Sequence, residues 1–238
     1  MICKSDYEVV VLKLSGRLFF SDEFDKIVFL LKEITKCQRK LRFVVVAGGG
    51  SIARQYIEIA REAGADQASL DELGIAASRL NALVLAKALG RSAANFVPST
   101  LSSLVETFEI TYRDKPIVVV GGLQPGQSTN GVGALISEKL QARIFVNATD
   151  VDGVYTKDPR IHKSARLLSQ VTPEELERIL SNESVTAGGY DLMDPIALKL
   201  IKRSKIDVRI TKCDSATLRR LFEENQNVGT QIVFKNRK

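Results

Sequence analysis

Short β-branched runs alternate along this chain with longer stretches whose apolar residues recur every three or four positions. The short runs predict strands at Glu8–Leu14, Arg42–Ala47, Pro116–Val120, Ala142–Ala148, Asp207–Thr211 and Thr230–Phe234, with a weaker one near Phe96. Several are apolar on both faces, the pattern of strands covered by helices on each side. The longer stretches predict helices. One follows a cap at Ser21 or Asp22, one runs from Ser51 to Gly64, and one from Leu70 to Gly90. Three more start at clear signals: Thr172 with Pro173, Asp194 with Pro195, and Asp214. Strand and helix alternate, so the expected fold class is α/β, a three-layer αβα sandwich with a central, mostly parallel sheet.

The stretch from Leu70 to Gly90 departs from simple amphipathicity. Beyond its first turn only Ser78, Arg79, Asn81 and Lys87 interrupt the apolar residues. Such a helix is buried, either inside its own domain or in a contact between subunits.

The bulk properties narrow the classes. A length of 238 residues suits one large domain or two small ones. No unbroken apolar run approaches the ~18 residues a membrane span needs. The amino terminus, "MICKSDYEVV", lacks the apolar core of a signal peptide, so the expected location is cytoplasmic. Cys3, Cys37 and Cys213 are far apart and form no CxxC, which points to free thiols. With His162 as the single histidine, a Ser-His-Asp triad or a histidine-rich metal site has little material. The net charge of +6 is spread among acids along the whole chain. That argues against a nucleic-acid surface and suits phosphorylated small molecules.

Candidate chemistry sits where strands end. "VVVAGGGSIAR" places Gly48, Gly49 and Gly50 after a buried strand and at the start of a helix, with Arg54 one turn on. Bare glycine backbone and a helix amino terminus favour an anion, and arginine is suited to bidentate contact with phosphate. The plain alternative is a tight turn with a surface arginine. "LKLSGRLF" puts Lys13, Ser15 and Gly16 at the end of the first strand. "VVVGGLQPGQSTNGVG" reads as strand, glycine-rich loop and helix. It matches neither GxxxxGK[ST] nor GxGxxG, so a P-loop or a dinucleotide fold is not indicated. "NATDVDGVYTKDPR" carries a hairpin-turn signal at Asp152-Gly153, with Thr149, Asp150, Tyr155 and Asp158 able to contact a base and ribose.

Together "KLSG", "GGGSIAR", "LDELGIAASRLNA", "GGLQPGQST", "ATDVDGVYTKDPR" and "LMDPIALKLIKRSKI" resemble the amino-acid kinase family, and within it the archaeal uridylate (UMP) kinase branch. The resemblance runs from about Val9 to Val233. It implies transfer of the γ-phosphoryl group of ATP to UMP, with Mg²⁺, in pyrimidine nucleotide biosynthesis. It also implies a homohexamer, a trimer of dimers. Residues 1–135 are expected to form the acceptor part and 136–238 the ATP part.

By the same resemblance Lys13, Leu14, Ser15, Gly16, Gly50 and Arg54 hold the ATP phosphates, and Thr149, Asp150, Tyr155 and Asp158 its nucleoside. Gly49 and Asp71 serve UMP, Asp71 on the ribose hydroxyls. Gly121, Gly122, Leu123, Gln124, Pro125, Gly126 and Gln127 wrap UMP, with Ser128 and Thr129 near its phosphate. Lys13, Arg54 and Asp194 are the catalytic set, Asp194 orienting lysines. The resemblance assigns no metal ligands.

Two departures stand out. Relatives often carry asparagine where this chain has Asp150, and lysine where it has Arg17. Two rivals stay open. An isopentenyl phosphate kinase would carry a histidine in the helix after the glycine loop, where this chain reads "SIARQYIEIA". A non-catalytic nucleotide or oxyanion binder on the same fold is the other.

Overall fold

The structure, a computed structural model, describes residues 7–38, 40–183 and 192–234. Seven strands form one sheet: β1 (Glu8–Leu14), β2 (Leu41–Ala47), β3 (Ile117–Val120), β4 (Ile144–Thr149), β5 (Gln170–Val171), β6 (Val208–Lys212) and β7 (Thr230–Ile232). Their order is β3-β2-β1-β4-β6-β7-β5. All neighbours are parallel except β6 and β7.

Eight helices are described: α1 (Phe24–Cys37), α2 (Gly50–Glu62), α3 (Gln67–Leu89), α4 (Leu101–Thr111), α5 (Thr129–Leu140), α6 (Pro173–Glu183), α7 (Pro195–Ser204) and α8 (Ser215–Phe222). Two cores fill the space between sheet and helices. Val9, Val11, Val44, Val46 and Val118 face α4, α5, α6 and α7 through Leu104, Phe108, Ile136, Leu176 and Ile201. The alternate residues Val10, Leu12, Phe43, Val45 and Val119 face α1, α3 and α8 through Leu30, Leu31, Leu85 and Leu218. Strands apolar on both faces therefore lie between two helical layers, as their pattern requires.

Most predicted elements are present within a few residues. Thr172, Asp194 and Asp214 cap their helices as expected. Three differences have local causes. Residues Gly16–Phe20 form a 3₁₀ turn, so α1 starts after Glu23 rather than at Ser21 or Asp22. Ser21 spends its hydroxyl on the Leu18 carbonyl instead. The segment near Phe96 is not a strand; Ala93 alone bridges to Ile117. Helix α4, which the apolar pattern did not announce, follows a Thr100–Ser103 capping box.

Helix α3 tests the expectation that no segment spans a membrane. By length and composition it could cross a bilayer, with a mean hydropathy of 1.3 over its best window. Its polar interruptions tie it into this fold instead. Asn81 donates to the carbonyls of Gly48 and Gly49, and Arg79 to those of Gly122, Leu123 and Ser99. One stripe of the helix packs in the core, while Leu80, Leu83 and Val84 stay exposed.

Candidate active site

Strands β1, β2, β3 and β4 run in parallel, so the loops after them leave the sheet at one edge. β2 and β3 lie on one side of β1, and β4 on the other. This reversal of strand order is where ligands bind in open α/β sheets. Two cavities meet there. The first has a volume of about 690 Å³, the second about 760 Å³. Gly49, Gly50, Arg54 and Thr129 line both.

The first cavity is cationic. Lys13 enters from β1, Arg17 from the turn after it, Arg54 from α2 and Arg160 from the loop after β4. Ser15, Gly16, Thr149 and Asp150 complete its wall. Asp150 accepts from Nη1 of Arg17 at 2.6 Å, and Arg160 Nη1 stands 3.9 Å from the same carboxylate oxygen. Arg160 is aimed by Asp158, which is buried and accepts from the Arg160 backbone and guanidinium at 2.8–3.2 Å. Those contacts hold the Asp158 carboxyl below its ordinary range, with the Arg160 hydrogen bond the largest cause. Tyr155 donates to Asp152 at 2.9 Å, and its phenol is pushed upward chiefly by burial.

The second cavity mixes apolar and polar walls. Ile57, Ile75 and Ile196 supply flat apolar surface. Asp71, Gln127, Ser128 and Asp194 supply polar groups. The Gln127 side-chain amide oxygen is buried and has no hydrogen-bond partner among the described residues. Two helix amino termini meet at this wall. Ser128 caps α5 by accepting from the Asn130 and Gly131 N–H groups, and donates its own hydroxyl to Asp194. Asp194 caps α7, accepting from Ile196 at 2.9 Å and Ala197 at 3.0 Å. Such termini carry partial positive charge and favour an anion between them.

Helix α3 sets both glycine loops. Asp71 accepts from the Gly126 N–H at 2.7 Å. Two turns on, on the same face, Ser78 accepts from the Gly122 N–H at 2.8 Å. Arg79 and Asn81 hold the carbonyls named above. Ser78, Arg79 and Asn81 are three of the four positions that break the apolar pattern of the helix beyond its first turn, which is the sequence signal that marks them.

The glycines answer to each other as much as to a ligand. A Cβ on Gly16 would overlap the Gly50 nitrogen, and one on Gly50 would overlap the Gly16 carbonyl oxygen. Gly50 also has a positive φ of 68°. The loops after β1 and β2 thus touch backbone to backbone. Gly153 is bare for a similar reason: a Cβ there would meet Thr230. Its φ is not positive, so the expected Asp152-Gly153 hairpin turn does not form. The pairing lies further out, between Tyr155 and Leu167.

Some of the remaining expected positions line neither cavity. Leu14 is fully buried in the core, its carbonyl accepting from Gly48. Gly121 packs against the backbone of Ser78 and Arg79. Leu123 lies against the core, while Gln124 and Pro125 are exposed. Asp158 stands behind the first cavity through Arg160, while Tyr155 packs against the core and contacts Asp152. Arg17, Arg160, Ser78, Ile57, Ile75 and Ile196 join the site without having been singled out for it. His162 is exposed. Cys3 lies outside the described residues.

Comparison with known proteins agrees with this geometry. The profile described as the amino acid kinase family matches residues 8–212. A uridylate kinase of Sulfurisphaera tokodaii is 46% identical over 201 residues, covering 84% of this chain and 87% of that protein. One of Sulfolobus acidocaldarius is 41% identical, covering 94% of this chain and 98% of that protein. The crystal structure of uridylate kinase from Archaeoglobus fulgidus superposes with a TM-score of 0.80 at 37% identity, covering 94% of this chain and 99% of that one.

Proposed function

The chain belongs to the amino acid kinase family, and from that premise we propose that it is a uridylate kinase, transferring the γ-phosphoryl group of ATP to UMP to give ADP and UDP. The observation that carries this reading is the pair of cavities sharing Gly49, Gly50, Arg54 and Thr129 as a common floor. A polyanion fits the cationic first cavity. A nucleotide with a flat base fits the second, where isoleucines line one wall and two helix amino termini another. Both volumes are within the range of small-molecule sites.

The chemistry needs no general base. An oxygen of the UMP phosphate is already anionic; it attacks the γ-phosphorus as the bond to the β–γ bridging oxygen breaks. Two polyanions must be held in line, so positioning and charge neutralisation carry the catalysis. Lys13, Arg17 and Arg160 neutralise the donor, with Ser15 and Gly16 beside them. Arg54, on the shared floor, reaches the transferring group. Asp71, Gly122, Gly126, Gln127, Ser128 and Thr129 enclose UMP. Thr149 and Asp150 face the donor nucleoside, with Tyr155 and Asp158 holding that wall. Asp194 acts from the acceptor side, where it fixes Ser128.

Magnesium would accompany ATP and neutralise the triphosphate. Among the described residues no group of three or more His, Cys, Asp or Glu is clustered to hold a metal. This suits magnesium, which takes much of its shell from phosphates and water.

The acceptor part is then roughly residues 1–135 and the ATP part 136–238, with Lys13 to Arg17 crossing between them. We place a subunit contact of a homohexamer, a trimer of dimers, on the exposed Leu80, Leu83 and Val84 stripe of α3. The proposed setting is pyrimidine nucleotide biosynthesis in the cytoplasm.

The test is a coupled assay of ADP formation with ATP and Mg²⁺ against UMP, CMP, dUMP and isopentenyl phosphate, in wild type and Lys13→Ala. Selective turnover of UMP, lost in the variant, is expected. Preference for isopentenyl phosphate would move the chain to a sister activity. No turnover with ATP still bound would make it a binder.

A further inference from the structure

A second charged centre lies at the opposite edge of the sheet. There a cavity of about 430 Å³ opens at the starts of β1, β2, β4 and β6, under the end of α8. Arg209 of β6 lines it. This arginine is 7% exposed. Its Nη2 donates to the Asn227 side-chain oxygen at 3.1 Å and its Nη1 to the Val228 carbonyl at 3.4 Å. Its Nε is buried and has no hydrogen-bond partner among the described residues.

The other charged groups of the cavity make no direct ion pair with it, although the nearby Asp207 carboxylate offsets part of its charge. Arg143 pairs with Glu8 at 2.5 Å, and Glu223 with Arg219 at 2.5 Å. Asp207 accepts from Gln231 at 3.3 Å. Arg209 itself makes no ion pair with any described residue. A guanidinium cannot shed its proton under ordinary conditions, so it stays charged where it is buried. An unpaired buried charge is strongly unfavourable, and two neutral acceptors offset only part of it. Burial accordingly holds the Arg209 guanidinium below the ordinary arginine value. The walls around it are mixed: Leu41, Ile144 and Phe222 are apolar, and Gln38 and Gln226 are amides.

We propose that this cavity is a binding site for a small organic oxyanion, with its carboxylate or phosphoryl end on Arg209 and its carbon skeleton against Leu41, Ile144 and Phe222. The size fits a small metabolite, and the bound anion supplies the direct ion pair that Arg209 makes with no described residue. The site is remote from the catalytic loops but joined to them. β6 runs from Arg209 to Lys212, and the next residue, Cys213, donates its N–H to the Thr149 carbonyl at 2.7 Å.

The test compares inorganic phosphate and succinate with chloride at matched ionic strength, reading Tm in wild type, Arg209→Met and Arg54→Ala. One or both oxyanions should raise the wild-type Tm by several degrees, saturably. That shift should persist in Arg54→Ala and fall by at least half in Arg209→Met. In chloride, Arg209→Met should melt no lower than wild type, because it removes an unpaired charge. A response to phosphate alone identifies a phosphoryl ligand, and to succinate alone a carboxylate ligand. A shift lost in Arg54→Ala but kept in Arg209→Met would assign the anion to the catalytic floor and overturn the proposal. So would no shift with either anion, or an Arg209→Met Tm well below wild type in chloride with an undiminished anion response. Should Arg209→Met fail to fold, selenate soaked into wild-type crystals decides. An anomalous selenium peak within hydrogen-bond distance of Arg209 supports the site, and its absence at saturation refutes it.

Discussion

Arg17 and Asp150, 133 positions apart in the chain, close an ion pair of 2.6 Å in the wall of the first, cationic cavity. Each side chain is partly open to solvent, 56% and 33% exposed. The pair therefore adds little to stability, roughly 0.2–1 kcal/mol. Its effect falls on the ligand: Asp150 occupies a cation that a triphosphate would otherwise use, and adds a negative charge beside it. Asp150→Asn should lower the KM for ATP about threefold, the scale of one partly screened charge, and leave the KM for UMP unchanged. Steady-state kinetics at two salt concentrations reads this. A tenfold rise in the KM for ATP would instead mean that the carboxylate itself grips the nucleoside.

Asp71 fixes the far side of the site. It accepts from the Gly126 N–H at 2.7 Å and lines the second cavity. Asp71→Ala frees the glycine loop and removes a charged acceptor. The KM for UMP should rise at least about tenfold, the loss of a charge-assisted hydrogen bond. The KM for ATP should stay near its wild-type value. Equal changes in both would place Asp71 in general stability rather than in acceptor binding.

Glycines with positive φ should separate into two classes. Gly50 has φ of 68° and meets the Gly16 backbone, whereas Gly64 has φ of 84° and nothing within 4 Å. Gly64→Ala bears only the left-handed backbone penalty, about 1 kcal/mol. Gly50→Ala adds a backbone collision and should lose about 3 kcal/mol or more. Urea unfolding midpoints of the two variants give the comparison.

Acid sensitivity has a named contributor. Glu23 accepts from Lys26 at 2.8 Å and from the Ser215 N–H at 2.7 Å, joining the start of α1 to that of α8. The Lys26 contact first, then the Ser215 N–H, lowers its carboxyl to about 2. The native state thus favours the charged form. The stabilisation is complete above the unfolded value of 4.5 and disappears as pH falls from there toward 2. Glu23→Gln should lose about 1 kcal/mol at pH 7, the size of one such hydrogen bond. Its stability curve should rejoin the wild-type curve near pH 2.

The thiols should react unequally. Cys37 is exposed, whereas burial pushes the Cys213 thiol up to about 11. Thiolate is the reactive form. Maleimide at pH 7.5 followed by peptide mass mapping should find Cys37 modified and Cys213 intact in the folded protein. Rapid labelling of Cys213 would show that the end of β6 opens readily.

The parts of this fold legible in the sequence are those where local chemistry and tertiary packing agree. Val10 to Leu12 and Val44 to Val46 are apolar on both faces because helices cover both. Asp194 with Pro195 starts a helix by local chemistry alone, the carboxylate capping the first N–H groups and the proline pre-setting φ. Helix α4 was not legible because its capping box, Thr100 and Ser103, looks like an ordinary polar loop. The site divided similarly. Lys13, Arg54 and the glycines stand out by type and place at strand ends. Arg160 does not, since its direction depends on Asp158 two residues earlier and on how the loop folds back. Ser78 and Asn81 look like blemishes in an apolar helix until the loops they hold are in place. The purpose of Gly16 is invisible locally, because the atom it makes room for belongs to Gly50.

That last contact divides the site into a part free to change and a part that is not. With the loops after β1 and β2 interlocked at Gly16 and Gly50, a side chain introduced into either has no space unless the other gives way at the same step. Single substitutions cannot explore new floors. Divergence in what the enzyme accepts must run through the walls, at Ile57, Ile75 and Ile196 around the acceptor and at Asp150 and Arg17 around the donor. A library aimed at a different nucleotide should randomise those five positions and hold the interlocked glycines constant.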